Sequence, residues 1–455
     1  MKRLLSIVLA AVMLVMVMAV GAAAEEAGAP ASVVTSRNSA EAAPAPEEVP
    51  AEPVEAVPEV VAEVPAEPVE AVPEAVAEVP VEPVEAAVEV VPEATVEVVP
   101  EAAVEVAPEA AVEYVEEAPA PTVPEAPAVE APYNENPLTG LADLPDYAIG
   151  KRPVAVMINN HPKSYPQLNV SQADVLFEVV VEHDLTRFMA MFADYQNVPN
   201  LCSIRSYRYY FPAISNGFDA FYIHWGEDTS MMEYYRELNL DSYDGLSNTY
   251  LFGRDQSRLD AGYDLEHTST FYGSLLPDQL AWDEKRTDRD EAHQGPFFDF
   301  VPYGSVVTPN GPACSFASIA FGQQTGQVAY DPETHLYKKF ANTEVQIDGV
   351  TGEQLGFTNC ILLYTPISDR EEDPEANRKW LDSYMLDDER RPGYYLSDGH
   401  VQDITWWRGS ESDRFHFFDA DGNPLAINRG KSYIAITYYD SVTLSETIPE
   451  GYVLQ

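Results

Sequence analysis

Positive charge is what this chain has least of: 26 Lys and Arg stand against 75 Asp and Glu, a formal net charge of −49 over 455 residues. A nucleic-acid surface needs the opposite sign, so no nucleic-acid partner is expected. Cysteine is nearly absent too. Cys202, Cys314 and Cys360 are odd in number and match no zinc spacing, which excludes a disulfide framework and leaves three small, buried side chains as the expectation. There is no nucleophile elbow, phosphate-binding Gly loop, HExxH, CxxC or dinucleotide fingerprint. These absences remove the commonest mechanisms and leave any cofactor undefined.

What is present is unevenly distributed. Lys2 and Arg3 precede an uncharged stretch from Leu4 to Val20, and Ala22, Ala23 and Ala24 supply the small residues a signal peptidase prefers, so residues 1–24 read as an export signal. No cysteine lies near the cleavage point, so the expected location is extracytoplasmic, secreted or held at the cell surface, without a Cys-linked lipid. Membrane association requires that the apolar segment stay uncleaved. Residues 25–132 hold 26 Glu, 19 Pro and a single basic residue, Arg37, and EVPAEPVEAVPE occurs at 48–59 and again at 63–74. Prolines at this density break helices and strands while the glutamates repel one another, so the repeat reads as a disordered, extended spacer rather than a solenoid.

The remaining 133–455 carries 49 acidic and 23 basic residues. It reads as an α+β architecture: an N-terminal mixed α/β layered domain, 133–305, then a β-rich C-terminal domain, 306–455. In the first, Val154–Ile158, Val175–Val181, Arg187–Phe192 and Phe218–Trp225 are expected strands, with a hairpin turn at His183-Asp184. Ser206–Ser215, Asp228–Leu238 and Thr268–Leu276 are expected helices. In the second, short alternating runs such as Leu336–Phe340, Cys360–Tyr364, Ile404–Trp407 and Tyr433–Tyr438 are separated by Asp-Gly turns, with one helical piece over Pro374–Leu381.

Several of these stretches come in an order that carries a resemblance. NPLTGL (136–141), RPVAVMINNHP (152–162), SQADVLFEVVVEHDLTRFMAMF (171–192), SIRSYR (203–208), FDAFYIHWG (218–226) and GRD (253–255), followed by DITWWRG (403–409) and RGKSYIAI (429–436), resemble the two-domain family of YerB-type envelope proteins of bacteria. The resemblance implies a surface-exposed two-domain protein and brings no established reaction. The chain departs from the family in lacking a lipid-bearing cysteine, and it reads DLEHTSTF (264–271) where the family has a His-containing step, which puts His267 in question as its counterpart.

Four groups of residues carry candidate chemistry. Asn159, Asn160 and His161 end a strand, where ligands gather in open α/β sheets, although Asn-Asn-His-Pro also makes a turn. Glu178, Glu182 and Asp184 would share one face of an extended strand. Glu178 sits among apolar residues and needs a cation, for which Arg187 and Arg205 are the candidates. Arg205, Ser206 and Arg208, with Arg254 and Asp255, would suit an anionic ligand, or would serve in structural ion pairs. His224, at the end of its own strand, would lie beside His161 if the two strands are neighbours. The expected activity is therefore binding of an anionic or carbohydrate component of the cell wall or envelope. The alternatives are a metal- or His-dependent cell-wall hydrolase built on His161, His224 and Glu178, and an interaction protein that works through its acidic tail. No metal ligand set is assigned.

Overall fold

The computed structural model describes residues 132–372, 376–385 and 389–455, so the expected signal segment and nearly all of the spacer lie outside the described residues. The described chain is mostly sheet with a few short helices. Ten strands form one mixed sheet. β1 (Val154–Asn159), β2 (Val175–Val180), β3 (Thr186–Phe192), β4 (Phe221–His224) and β5 (Ser242–Asp244) come from the first segment; β6 (Asn359–Tyr364), β7 (Arg391–Ser397), β8 (His400–Trp407), β9 (His416–Phe418) and β10 (Ser432–Thr437) come from the second. Their order in space is β9-β8-β7-β6-β10-β2-β3-β1-β4-β5.

The junction lies at β10, the last strand of this sheet in sequence. It pairs parallel to β2 on one side and to β6 on the other, so Ile434 stands between Phe177 and Ile361. One sheet thus runs through both sequence segments. The central strands β1, β2, β3, β6 and β10 are buried along their whole length, which explains their near-continuous apolar runs. β2 and β3 form the expected hairpin, and its turn holds His183 and Asp184 in the left-handed region at φ 56° and 54°. A second sheet of Phe316–Ala320, Thr325–Asp331, Leu336–Ala341, Glu344–Val345 and Val442–Ser445 packs beside the first, with Gly356–Phe357 attached to Leu336–Ala341.

Helix is sparser than the sequence suggests. α1 (Tyr210–Asn216) starts four residues later than expected, and α2 (Met232–Leu238) follows a separate 3-10 turn at Thr229–Met231. Over Thr268–Leu276 the expected helix is replaced by a strand, Ser269–Phe271, and a 3-10 turn, Gly273–Leu275, while the helix proper runs Leu276–Trp282. Thr268 and Thr270 are β-branched and fit a pleated surface better than a helix. Of Pro374–Leu381, residues 374 and 375 lie outside the described residues, and Lys379–Leu381 is a strand paired with Ile367–Asp369, not a helix. All three cysteines are buried and free. Among the described residues no helix is long and apolar enough to cross a membrane.

Candidate functional site

β1 and β4 are parallel neighbours, as the His161 and His224 argument required, with Val156 opposite Ile223. Their tips nevertheless diverge. The segment Ser203–Arg205 takes the backbone bonds beyond them: Asn159 N donates to Ser203 O at 2.9 Å, Arg205 N to Met157 O at 3.1 Å, and Trp225 N to Arg205 O at 3.1 Å. This wedge sends the two histidines into different surroundings.

His224 is 1% exposed and packed among Tyr207, Tyr222 and Tyr235. Its Nδ1 meets the Gly226 carbonyl at 3.0 Å and its Nε2 the Tyr235 hydroxyl at 3.2 Å. Burial pushes its pKa down to about 4, against the pull of Asp244. It is a core histidine with both nitrogens engaged.

The three carboxylates separate as well, because β2 ends at Val180 and Glu182 and Asp184 lie in the turn beyond it. Glu178 is fully buried. Its cation is Lys339, at 3.0 Å and equally buried, and not Arg187 or Arg205. Tyr433 Oη (2.6 Å), Thr186 Oγ1 (2.8 Å) and Asn160 Nδ2 (3.0 Å) complete its shell. Glu182 takes Arg187 and Arg208 together, so Arg208 serves a structural ion pair; Ser206 offers its carbonyl and hydroxyl to Arg187. Two arginines and burial compete on Glu182, and the arginines win, holding its carboxyl far below the usual range. Asp184 pairs with Lys379 at 2.5 Å. Asp255 caps the short helix Gln256–Asp260 by accepting from Arg258 N at 2.9 Å. The constellation His161, His224, Glu178 that a hydrolase would use is therefore not assembled.

A different group does come together. Arg205, Arg254, Trp225, Glu266, Leu265, Ile204 and Ser269 line a pocket of about 370 Å³. The Arg254 guanidinium lies over the Trp225 ring at 4.3 Å and donates to Leu265 O at 2.7 Å, while Arg205 pairs with the exposed Glu266 at 3.0 Å. Trp225 is seated against Gly245; a Cβ there would come within 2.4 Å of the indole, so only glycine admits the ring. With one face under a guanidinium and the ring pressed on backbone, Trp225 orients Arg254 more than it offers a platform to a sugar.

Beside this pocket His161 stacks on His267, centroids 5.4 Å apart and 26° between planes. The hydrogen bonds fix their tautomers. Asn159 Oδ1 accepts from His161 N, so its amide nitrogen faces His267 and donates to Nδ1 at 2.9 Å. Lys163 N donates to His161 Nδ1 at 3.1 Å. Both Nδ1 atoms are acceptors, and each neutral ring carries its proton on Nε2. A ring so arranged cannot ligate a metal through Nε2, but it can donate to an anion. His267 Nε2 is buried without a hydrogen-bond partner, 3.5 Å from a Glu266 oxygen. Burial lowers the pKa of both imidazoles, with Glu266 opposing, and burial of Glu266 is outweighed by Arg205, which lowers its carboxyl. His267 entered the sequence reading only through the family, since nothing in DLEHTSTF by itself announces a stacked histidine pair.

The two asparagines of the strand tip part company. Asn159 orients His267; Asn160, fully buried, turns the other way toward Glu178. Arg258, also buried, ties the two sides by donating to Ser164 O, Pro166 O and His267 O.

Fold and pocket together define a β-rich protein whose main sheet is built from both ends of the described chain and whose strand tips carry a small arginine-lined pocket beside a stacked histidine pair. Residues 138–270 match the family model described as "Protein of unknown function (DUF3048) N-terminal domain", and residues 317–434 match its C-terminal domain. The chain belongs to this YerB-like family. It is 44% identical over 90 residues to "Putative lipoprotein YerB" of Bacillus subtilis (strain 168), an alignment covering 20% of this chain and 27% of that protein. The crystal structure of the YerB protein from Bacillus subtilis superposes with a TM-score of 0.57 at 24% identity, covering 68% of this chain and 98% of that one, and so shares the fold.

Proposed function

We propose that this chain is an extracytoplasmic envelope protein that binds an anionic group of an envelope polymer in the pocket between Arg205 and Arg254. The observation that carries the reading is the pairing of two guanidiniums around one pocket in a segment that is otherwise strongly acidic. Arg205 has only an exposed carboxylate as partner, which an incoming phosphate or carboxylate can displace, and Arg254 is held in place by Trp225. His161 and His267 stack beside this pocket, with His267 Nε2 3.5 Å from the Glu266 carboxylate. At ~0.15 M salt the screening length is about 8 Å, so a bound anion senses this group of charges rather than the distant acidic surface. The lipoprotein name of the Bacillus relative supports an envelope location. An anionic ligand is favoured over a neutral sugar because the Trp225 face is already covered.

The test is fluorescence titration of the full chain with poly(glycerol phosphate) teichoic acid and, separately, with an uncharged glucan. Saturable binding of the first, weakened at least tenfold in Arg205→Ala/Arg254→Ala and unchanged in the remote Arg390→Ala, supports the reading. Equal binding of the glucan, or no effect of the double substitution, refutes it.

A further inference from the structure

The same strand tip supports a second pocket on its other side. Pro162, Tyr165, Pro166 and Gln167 of the first segment face Ala341, Val345, Gln346 and Ile347 of the second across a cavity of about 400 Å³, with Asn342 and Glu344 also lining it. Beneath it lies the buried network around Glu178, and that network dictates the chemistry of the pocket floor.

Asn160 spends both amide hydrogens inward, on Glu178 Oε1 at 3.0 Å and Thr186 Oγ1 at 2.7 Å. Its Oδ1 must therefore face the pocket side, where it accepts from Tyr165 Oη (3.0 Å), Gln167 Nε2 (3.0 Å) and Gln346 Nε2 (2.9 Å). The orientation of Gln346 is thereby fixed, since a flipped amide would set Oε1 against Oδ1. Its Oε1 is left buried with no partner, on a residue that is 2% exposed and lines the cavity. A buried carbonyl of this kind is left desolvated and unpaired unless a donor reaches it.

The remaining surroundings are as selective. Tyr165 and Gln167 have also turned their donors inward, and their oxygens accept from Gln324 Nε2 (3.1 Å) and Gln346 Nε2 (3.5 Å), so Gln346 Oε1 is the acceptor left over. Glu344 lines the same cavity two residues from Gln346, about 7 Å along an extended chain, and among the described residues it takes part in no ion pair. No Lys, Arg or His lines the cavity; the amide nitrogen of Asn342, at the exposed rim, is the donor left over after its Oδ1 accepts from Thr325 N. The walls are proline, tyrosine and aliphatic side chains.

We infer that this cavity binds a primary amine carried on an apolar stem, as in a lysine side chain or an alkylamine, with the ammonium donating to Gln346 Oε1 and balanced by Glu344. The site is separate from the guanidinium pocket and takes a ligand of opposite charge. The experiment is saturation-transfer NMR on the full chain with n-pentylamine, and with n-pentanoate and n-pentanol as shape-matched controls. Saturable millimolar binding of the amine, no binding of the carboxylate, and an approximately tenfold loss in Gln346→Leu and in Glu344→Gln bear the inference out. Glu344 is exposed, so its variant keeps the fold even if the Gln346 variant does not. Absence of amine binding, equal response to amine and pentanoate, or amine binding unchanged in Glu344→Gln overturns it and leaves a crevice filled by solvent.

Discussion

Replacing Lys339 with methionine tests the junction between the two segments most sharply. Lys339 belongs to the second sheet, Glu178 to the middle of β2, and both side chains are fully buried with 3.0 Å between Nζ and Oε2. Removing one member of such a pair leaves an uncompensated charge in the interior and costs about 3–5 kcal/mol. Three neutral donors, from Tyr433, Thr186 and Asn160, remain on the carboxylate, which places the expected loss near the lower end, about 3 kcal/mol. Lys339→Met/Glu178→Gln removes both charges at once and keeps a hydrogen-bonding amide, so its loss should fall short of the sum of the two singles by a coupling of about 2 kcal/mol. Urea unfolding of the four proteins, followed by far-UV circular dichroism at constant pH, measures this. A Lys339→Met cost under about 1 kcal/mol, or a double variant whose loss is the sum of the two singles, would show that the pair does not hold the segments together as argued.

Other expectations follow from the same geometry. His224 has its folded pKa lowered to about 4 from the ordinary 6.5, so it binds fewer protons folded than unfolded; its contribution is present above pH 6.5 and is lost as pH falls toward 4, by about 3 kcal/mol for a shift of that size. Relative to wild type, His224→Phe should flatten the stability profile between pH 6.5 and 4, and parallel profiles would refute the assignment. Glu266→Gln removes the carboxylate that competes for Arg205 and should tighten teichoic-acid binding several-fold by fluorescence titration; weaker binding would mean Glu266 is part of the recognition. Arg258→Ala strips three carbonyls of their donor beside both pockets and should cost about 3 kcal/mol in urea unfolding while weakening both ligands; a cost below 1 kcal/mol would remove it as the tie between them.

Much of the fold could be read from local pattern. Val154–Ile158 and Val175–Val181 announced themselves as unbroken apolar runs, and the His183-Asp184 turn fixed their hairpin partner Arg187–Phe192, because these signals lie within a few residues of one another. The placement of β10 between β2 and β6 could not be read that way: Ile434 meets Phe177 across more than 250 positions of sequence, and nothing local encodes that pairing. The same distance hid Lys339 from Glu178. That Glu178 required a cation followed from its apolar neighbours, but the nearby arginines were already committed to Glu182 and Glu266. At the strand tips, the adjacency of β1 and β4 entered only as a condition that the pairing then met, and the Ser203–Arg205 wedge that separates His161 from His224 could not be read, since SIRSYR carries no strand or turn signature of its own. Arg205 and Arg254 stood out against the acidic background and do share a pocket; Arg208, Ser206 and Asp255 have structural partners instead.

The most direct measurement of the central claim is an NMR pH titration of the His161 and His267 ring protons, with and without inorganic phosphate, assigned with His161→Gln and His267→Gln among the eight histidines. Both imidazoles start below the ordinary value because of burial. An anion seated against Arg205 and Arg254 would favour the charged rings, so phosphate should raise both pKa values in the wild type and leave them unmoved in Arg205→Ala/Arg254→Ala. Titration curves that phosphate does not shift, or that it shifts equally in the double variant, would contradict the account.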